Sequence, residues 1–505
     1  MSDAVNIGSR RELFVDRALI ERLEGARHVL HRPRPREVVL TCDEPWEEGG
    51  PGYETVFKDG DTYRMFYRAN PGGNGTDQDK TQVTCYAEST DGIHWEKPEL
   101  GLFECLGSKR NNIVWQGSIS HNFSPFRDGI PDCPEDERYK AVGGNAPQWG
   151  GEGLVALASP DGIHWRRLSE DPLPLEGNFD SQNVVFWDVE CGLYRAYWRV
   201  GRGEDPKVPP GRDIRTAVSE DFVHWSEARI LDYDPNRSGS PESDRGDDPS
   251  GDHHQLYTNN VQPYHRAPHI LLGFPARYSD RGWTASTDCL PDREERRAMA
   301  NEGIGGGRPT RLGTALWDTL MMVSRDGEEF YVWPEAFVRP GIQRPGSWFY
   351  GQAGCAWGMV ETPSVFEGAP PELSFYVKDN ARVEGPHRLR RHALRLDGFA
   401  SLHAPLTGGR VLTKTLTFDG ERLEVNFSTS AGGRMRVEIQ DADGRPIPDF
   451  ALEECRLQYG DQLDRVVSWE GGCDVSKLAG RPVRLLFELK DADLFALRFG
   501  TANGK

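Results

Sequence analysis

Three carboxylic acids stand out because they lie at or within apolar, strand-like segments. Glu54 and Asp180 each lie near the start of such a segment, and Asp318 interrupts the apolar run LWDTLMM. Cleavage of a glycosidic bond needs two carboxyl groups, because one donates a proton to the leaving oxygen while the other, ionised, activates water or attacks carbon. We therefore predict that Glu54 and Asp180 form a catalytic pair, with Asp318 as a modulator.

Each of these acids also has a structural interpretation. Glu54 would then be a polar residue on the rim of a cavity, and Asp318 would pair with a structural arginine. Asp180 is harder to explain by packing, because Asp-Ser-Gln-Asn opens an otherwise apolar strand.

Polar and aromatic residues at comparable positions are candidates for binding a sugar. The predicted substrate-binding residues are Arg68, His121, Asn122, Gln182, Asn183, His254, Asn260, Trp348, Tyr350 and Gln352. The two aromatic residues among them would stack on a sugar face. Arginine and histidine would orient a carboxylate or bind acidic sugar groups. The pair His253-His254 also admits a metal-binding role, although no partner with ligand spacing is visible.

A repeated hairpin indicates how these distant residues are brought together. The pattern Ser-x-Asp-Gly-x-x-Trp occurs at 89–95 and 159–165, with a variant at 219–225 and a degraded copy at 324–330. Asp-Gly favours a tight turn, so each copy predicts the hairpin between the last two strands of one unit. The aspartates of these copies are predicted to be turn residues: Asp91, Asp161, Asp221 and Asp326.

Another hairpin precedes each copy, and five such openings can be counted along the chain. Four strands in each of five units predict an all-β protein with a five-bladed β-propeller, in which the strand starts meet around one funnel. After about residue 400 the residues alternate with a two-residue period, which predicts a C-terminal β-sandwich. The predicted domains are therefore a propeller over 1–400 and a sandwich over 405–505. The segment 278–312 is expected to be a long loop with one short helix near 291–299.

Composition narrows the choice of partners. The 505 residues carry a net charge of -19 and no basic stretch, which argues against nucleic acid and anionic membranes as partners. No apolar run approaches the roughly 20 residues of a membrane helix, and no signal peptide is evident, so a cytoplasmic protein is expected. The nine cysteines are scattered without a Cys-x-x-Cys pair, which predicts reduced thiols. The oligomeric state is not predicted.

The repeated hairpins and the Tyr53–Arg68 hairpin resemble those of the five-bladed propeller glycoside hydrolases. This superfamily includes the arabinanase/xylosidase type (family 43) and the invertase/levanase type (family 32), and the resemblance covers roughly 380 residues. The invertase type also has a C-terminal β-sandwich. More closely, the chain resembles uncharacterised bacterial proteins similar to the invertase N-terminal domain.

The resemblance implies roles for individual residues. Glu54 lies where these families place an acid that acts as nucleophile or base. His121-Asn122-Phe123 aligns with an Arg-Asp-Pro triplet whose carboxylate stabilises the transition state, so that carboxylate is missing here. Asp180 takes the place of the general acid, which is usually a glutamate. Asp318 would restore a third carboxylate.

We therefore predict a glycosidase with a carbohydrate substrate and no required cofactor. The resemblance leaves a structural calcium ion at the propeller axis open. Two alternatives also stay open: a non-catalytic glycan-binding propeller, favoured by the missing carboxylate at Asn122, and a glycoside phosphorylase. The latter needs one acid and a phosphate cradle, which Arg68, Arg199 and His254 would offer.

Overall fold

The computed structural model describes residues 4–48, 51–71, 81–147, 150–202, 211–233, 255–302, 311–380 and 385–501. Strands dominate these residues and the helices are few and short, which confirms the predicted all-β class. The chain divides into two compact units. The large unit contains residues 33–264 and 268–393, and the terminal unit contains residues 1–32, 265–267 and 394–505.

Five groups of strands follow one another in the large unit, and we number them sheets 1 to 5 in chain order. Sheet 1 contains Gly52–Asp59, Thr62–Ala69, Val83–Ser89 and Ile113–Gln116. Sheet 2 contains Ser124–Arg127, Tyr139–Gly143, Val155–Ser159 and Arg166–Arg167. Sheet 3 contains Val184–Asp188, Leu193–Arg202, Gly211–Ser219 and Arg229–Ile230.

The last two groups depart from this simple order. Sheet 4 is divided into a five-stranded part, with Asp232–Tyr233, Gln262–Tyr264, Ala267–Gly273, Met322–Ser324 and Glu329–Val332, and a three-stranded part, with Gln255–Leu256, Ala276–Asp280 and Ala315–Thr319. Sheet 5 contains Val360–Thr362, Glu372–Lys378 and His387–Arg395, and its fourth strand is Arg34–Cys42 from the beginning of the unit.

Helical segments are confined to short stretches between strands. The α-helices are Ala285–Asp288, Arg293–Glu302 and Arg311–Thr314, and the 3-10 helices are Pro45–Glu47, Ser118–His121, Glu135–Glu137 and Ser476–Leu478. The helix expected near 291–299 is thus present. However, the segment predicted as a loop over 278–312 begins inside a strand and holds more than one helix. The stretch 236–254, which is rich in polar residues, lies outside the described residues.

The repeated hairpins are turns built on their aspartates, as predicted. In the second copy, Oδ1 of Asp161 accepts hydrogen bonds from the backbone amides of Ile163 and His164, both at 2.8 Å. Burial opposes ionisation of Asp161, yet these bonds lower its pKa to about 2. The same bonds recur at Asp91 and Asp221.

Each sheet contacts the next, and sheet 5 contacts sheet 1. The joining contacts are Arg64 Nη1 to Asp161 O (2.8 Å), Tyr194 Oη to Asp128 Oδ2 (2.6 Å), Tyr197 Oη to Gly327 O (2.8 Å), the rings of Phe274 and Phe375 (5.2 Å), and Tyr376 Oη to Gly92 O (2.6 Å). Three of these bonds end on a carbonyl of a repeated hairpin. Each of these three hairpins therefore forms a turn within its own sheet and also provides a backbone carbonyl that accepts a hydrogen bond from the neighbouring sheet.

The terminal unit is one ten-stranded sheet that combines both ends of the chain. Its strands are Val5–Gly8, Glu12–Leu13, Ile20–Glu24, Arg27–Leu30, Ala400–Ala404, Gly409–Thr413, Leu416–Phe418, Arg422–Asp441, Asp461–Val466 and Val483–Gly500. Residues 5–30 thus pair with C-terminal strands rather than with sheets 1 to 5. Their apolar side chains, such as Phe14, share one core with Trp469 and Phe487.

Candidate active site

The segments at the starts of the five sheet groups are linked into a closed circuit by hydrogen bonds. The links are Arg68 Nη1 to His121 O (3.0 Å), Asn122 Nδ2 to Phe179 O, Ser181 Oγ to Tyr257 O (2.7 Å), Asn260 Nδ2 to Cys355 O (2.7 Å) and Trp357 N to Glu54 O (2.8 Å). Four of these links come from polar side chains and the fifth comes from the backbone amide of Trp357. They hold the five segments together, because each satisfies a backbone carbonyl of a neighbouring segment.

The segments that carry Glu54 and Asp180 also contact each other directly. Nε2 of Gln182 donates to the backbone oxygen of Glu54 at 2.9 Å, and Oη of Tyr53 donates to the backbone oxygen of Asp180 at 3.3 Å. The two acids are 126 positions apart in sequence, so this proximity comes from the fold alone.

Asp180 is the most strongly organised carboxylate of this region. Its Oδ1 lies 3.1 Å from Nε2 of His121, and its Oδ2 lies 3.1 Å from Nη2 of Arg199. The same Nη2 donates to Oδ1 of Asn178 at 2.6 Å. The Asp180 side chain remains 34% exposed, whereas the Arg199 side chain is buried. The carboxylate is thus held from inside the protein and open on its other side.

The environment of Asp180 fixes its ionisation state. Burial of the carboxyl group acts to raise its pKa, but the positive charge of Arg199 and the hydrogen bond from His121 outweigh it and lower the pKa well below the ordinary range. Conversely, the charge of Asp180 raises the pKa of Arg199 against the effect of its burial. At neutral pH this site therefore presents a carboxylate, not a carboxylic acid.

His121 is oriented from both sides of its ring. Its Nδ1 lies 3.1 Å from Oε1 of Gln82, and its Nε2 faces Asp180. The ring of Tyr53 lies next to it, with 5.9 Å between centroids. This imidazole therefore acts as a positioning group for the carboxylate.

Tyr53 has an unusual backbone conformation. Its φ is 52°, in the left-handed region that bulky residues rarely adopt, and the pairing register shifts between Gly52 and Thr55. Cζ of Arg68 lies 4.8 Å from the Tyr53 ring, and a side chain at Gly52 would clash with the Arg68 guanidinium. The bulge therefore aims Tyr53 at Asp180 and leaves space for Arg68.

Glu54 is almost fully buried, with 1% of the residue exposed. Its Oε1 has Nζ of Lys378 at 3.5 Å and makes no hydrogen bond among the described residues. Glu54 is thus the second carboxyl group at the meeting point of the strand starts, and it has less extensive hydrogen bonding than Asp180.

Aromatic rings and arginines form one wall near Asp180. Tyr257 packs against Trp317 and Tyr350, with ring centroids at 4.6 and 6.0 Å. Cζ of Arg199 lies 4.6 Å from the Tyr257 ring, and Cζ of Arg212 lies 5.0 Å from it. Burial and the charge of Asp180 act to raise the pKa of Tyr257, but these two guanidinium groups and a hydrogen bond with Tyr350 lower it.

Several residues predicted to bind sugar donate hydrogen bonds to backbone carbonyls through their amide nitrogens. Nδ2 of Asn183 donates to the backbone oxygens of Phe179 and Ser181, and Nε2 of Gln352 donates to that of Asp379. Together with Asn122, Gln182 and Asn260, these amides are buried and tie segments of backbone together.

The remaining predicted residues are placed differently. Asp318 forms a two-bond ion pair with Arg277, which lies directly opposite on the neighbouring strand, and thus has the structural role that the sequence left open. Trp348 is half-buried and its Nε1 donates to the backbone of Gly341, whereas Tyr350 belongs to the aromatic wall. His254 lies outside the described residues.

Four residues of this site were not predicted from the sequence: Tyr53, Arg212, Tyr257 and Arg311, whose Cζ lies 5.6 Å from the Tyr350 ring. Arg212 lies near the start of the third strand of sheet 3, beside Asp213. A polar residue at the start of a third strand is expected to lie near the starts of the first strands. Tyr257 precedes Asn260 in the opening of sheet 4. Nothing in the sequence signals the bulge that turns Tyr53 towards Asp180.

Two further observations concern the described residues as a whole. They contain no group of three or more His, Cys, Asp or Glu side chains arranged for a metal ion. They also contain no helix long and apolar enough to cross a membrane.

Comparison with known sequences gives relatives of unassigned function. No protein-family model matches the chain. Uncharacterised proteins from two strains of Mycobacterium tuberculosis are 32% identical over 120 residues, which is 24% of this chain. The match covers 34% of those proteins, so the chain spans about a third of the length of the curated relatives it matches.

Solved structures that match the chain include several glycoside hydrolases and an N-acetylgalactosamine deacetylase from F. plautii. They include a fructofuranosidase variant from Schwanniomyces occidentalis complexed with fructosylnystose, at 13% identity and a TM-score of 0.37, over 92% of this chain and 97% of that one. A family 43 arabinoxylan arabinofuranohydrolase from Bacillus subtilis matches at 11% identity and a TM-score of 0.33, over 90% and 80%. At such identities the likeness assigns no activity to this chain.

Proposed function

We propose that the protein is a glycoside hydrolase, with a five-bladed β-propeller in the large unit and a β-sandwich in the terminal unit. The propeller is supported by the contacts that run from each sheet to the next and from sheet 5 back to sheet 1. The circuit of hydrogen bonds between the strand starts supports a common centre for the five groups.

One observation carries the proposed activity: Asp180 is an ionised carboxylate, partly exposed, and oriented by His121 and Arg199. A carboxylate of this kind suits the group that activates water or attacks the anomeric carbon. Because Asp180 is held ionised, we assign the proton donor to the other carboxyl group at the centre, Glu54. This reverses the roles that the family resemblance implied for the two acids.

The proposed reaction balances with these two groups. The bond between the anomeric carbon and the glycosidic oxygen breaks, and that oxygen takes a proton from Glu54. In a one-step reaction the anomeric carbon forms its new bond to water, and Asp180 takes a proton from that water. In a two-step reaction the carbon first bonds to Asp180; water then attacks the carbon, the bond to Asp180 breaks, and Glu54 takes a proton from the water. The aromatic wall at Tyr257 gives the sugar ring a surface to pack against.

A binding module is the second candidate, and one observation favours it. The family resemblance implies a carboxylate at position 122, where this chain has an asparagine, and Asp318 is paired with Arg277. Two carboxyl groups, Glu54 and Asp180, therefore remain at the centre, where the resemblance implies three. In that case Asp180 would accept hydrogen bonds from sugar hydroxyls without cleaving a bond.

A panel of aryl furanosides and pyranosides, with and without phosphate, tests the proposal. We expect release of the aryl alcohol by the unmodified protein and loss of release in Glu54→Gln and Asp180→Asn. Asp318→Asn is the matched control and should keep the activity. Absence of turnover together with glycan binding in calorimetry would contradict the hydrolase and support the binding module.

A further inference from the structure

Three arginines gather at the aromatic wall beside Asp180. Arg199 and Arg212 lie over the ring of Tyr257, as described above. Cζ of Arg212 also lies 4.5 Å from the centroid of the Tyr278 ring, and Cζ of Arg311 lies 5.6 Å from that of Tyr350. The rings of Tyr278 and Tyr350 are themselves 6.0 Å apart. We call Arg199, Arg212 and Arg311 the arginine cluster.

The electrostatic environment links the third member to the same place. Burial acts to lower the pKa of Arg311, but the phenols of Tyr350, Tyr257 and Tyr278 and the charge of Asp180 raise it. Arg311 and Arg199 therefore share two electrostatic neighbours, Tyr257 and Asp180.

The charges of this cluster are not balanced by the described residues around it. Asp180 pairs with Arg199, but neither Arg212 nor Arg311 has a carboxylate within 4 Å in the part of the chain that the structure describes; the polar partner of Arg212 there is Oε1 of Gln255. Nε and Nη1 of Arg199 are buried and, apart from the hydroxyl of Tyr257, have no hydrogen-bond partner among the described residues. A second carboxylate, Asp280, lies beside the Tyr278 ring, with its Oδ2 3.3 Å from the Tyr278 hydroxyl. Among the described residues, three guanidinium groups therefore face two carboxylates, which leaves one positive charge in excess.

We infer that the arginine cluster binds an oxyanion, a carboxylate or a phosphate, as part of the ligand of the active site. Guanidinium groups stay charged at any working pH and present paired donors that match the two oxygens of such a group. The aromatic rings beneath them restrict water, which strengthens these charge-assisted bonds. The inference deepens the proposed function and rests on it for the presence of a sugar.

The oxyanion has two possible sources. It is either an acidic substituent of the sugar, as in a uronic acid, or inorganic phosphate acting as the attacking group. With phosphate, the glycosidic bond breaks, a bond forms from the anomeric carbon to a phosphate oxygen, and Glu54 protonates the leaving oxygen.

Calorimetry on matched ligands tests the inference. Glucuronic acid and glucose differ only at C6, where one has a carboxylate and the other a hydroxymethyl group; galacturonic acid and galactose form a second pair, and inorganic phosphate is the third probe. We expect at least one of the three anions to bind about tenfold or more tightly than the neutral sugars.

The variants Arg212→Gln and Arg311→Gln should each remove most of that preference, and Arg212→Lys should restore part of it. Arg110→Gln changes an exposed arginine that pairs with Glu99, and it should leave the preference intact. Unfolding midpoints of all variants show whether each one folds. Equal binding of anions and neutral sugars, or a preference that survives both glutamine variants, would overturn the inference.

Turnover measured in the same experiments separates the inference from the proposed function. Faster cleavage of aryl uronides than of neutral glycosides assigns the oxyanion to the sugar, and turnover that requires phosphate assigns it to the attacking group. Cleavage of neutral glycosides with no anion preference would remove the inference and leave the hydrolase. Anion binding that depends on the arginine cluster, without turnover of any glycoside, would support the inference and contradict the proposed hydrolase.

Discussion

Asp180 and Arg199 form an ion pair in which the arginine is buried and the aspartate is partly open. Nη2 of Arg199 lies 3.1 Å from Oδ2 of Asp180, and the two side chains are 5% and 34% exposed. A buried guanidinium without an anion is costly, so the fold itself requires a negative charge at position 180. The same charge then faces the open side, where a ligand can reach it.

Asp180→Asn should abolish activity and also lower stability. We expect a loss of about a hundredfold or more in kcat/KM, because the amide can neither take a proton nor attack carbon. The free energy of unfolding should fall by about 1–3 kcal/mol, because Arg199 loses its counter-charge. Aryl glycoside kinetics and urea unfolding measure the two effects. Full activity in a folded Asp180→Asn protein would rule out the assigned role.

The pH dependence of stability should reveal the ionised state of Asp180. Its pKa is lowered in the folded protein, so the ion pair contributes fully above the pKa of an unfolded aspartate, about 3.9, and its contribution is lost as the pH falls towards the folded pKa. The difference in unfolding free energy between the protein and Asp180→Asn should therefore be constant from about pH 5 to 8 and shrink below about pH 4.

Urea unfolding of both proteins across this pH range provides the measurement. The comparison between the two proteins cancels the contributions of the other carboxylates. A difference that declined between about pH 6 and 8, where histidines titrate, would contradict an origin in the carboxylate.

Asp318→Asn should leave catalysis unchanged. Asp318 contacts Arg277 through both carboxylate oxygens across one pair of strands, so its loss should cost about 1 kcal/mol of stability. Arg277→Gln is the matched variant, and a double-mutant cycle between the two gives the coupling energy. A loss of activity in Asp318→Asn as large as that of Asp180→Asn would restore Asp318 to the catalytic group.

Phe222→Gly tests which of two effects dominates in the third repeated hairpin. Phe222 has φ of 70° where the other copies have glycine, and glycine would relieve about 1–2 kcal/mol of strain. However, its ring is fully buried against Tyr194 and Trp225, and losing it costs about 3–5 kcal/mol. The variant should therefore be less stable by about 2 kcal/mol.

Phe222→Ala is the control for this comparison, because alanine loses the ring and keeps the strain. It should be about 1 kcal/mol less stable than Phe222→Gly. Thermal and urea unfolding measure both variants. A Phe222→Gly protein that was more stable than the unmodified one would show that backbone strain, not packing, dominates here.

Local sequence determined the repeating features of this protein. The Ser-x-Asp pattern predicted its turns because an aspartate side chain reaches amides only two and three residues ahead, a contact that needs no tertiary structure. Alternation of apolar residues predicted the all-β class in the same way. Asp180 was identifiable because a charged residue at the head of an apolar strand has no packing explanation.

The tertiary structure decided which polar residues are available for chemistry. Asn122 and Asn260 resembled ligand-binding residues in sequence, but the amide nitrogen of each satisfies a distant backbone carbonyl. Arg212 and Tyr257 entered the site through contacts between sheets. Hydrogen bonds and ion pairs between residues far apart in sequence depend on how the strands are placed in space. Residue types and their spacing along the chain do not reveal that placement. The strand pattern is therefore a property of the sequence, whereas the surroundings of Asp180 are a property of the fold.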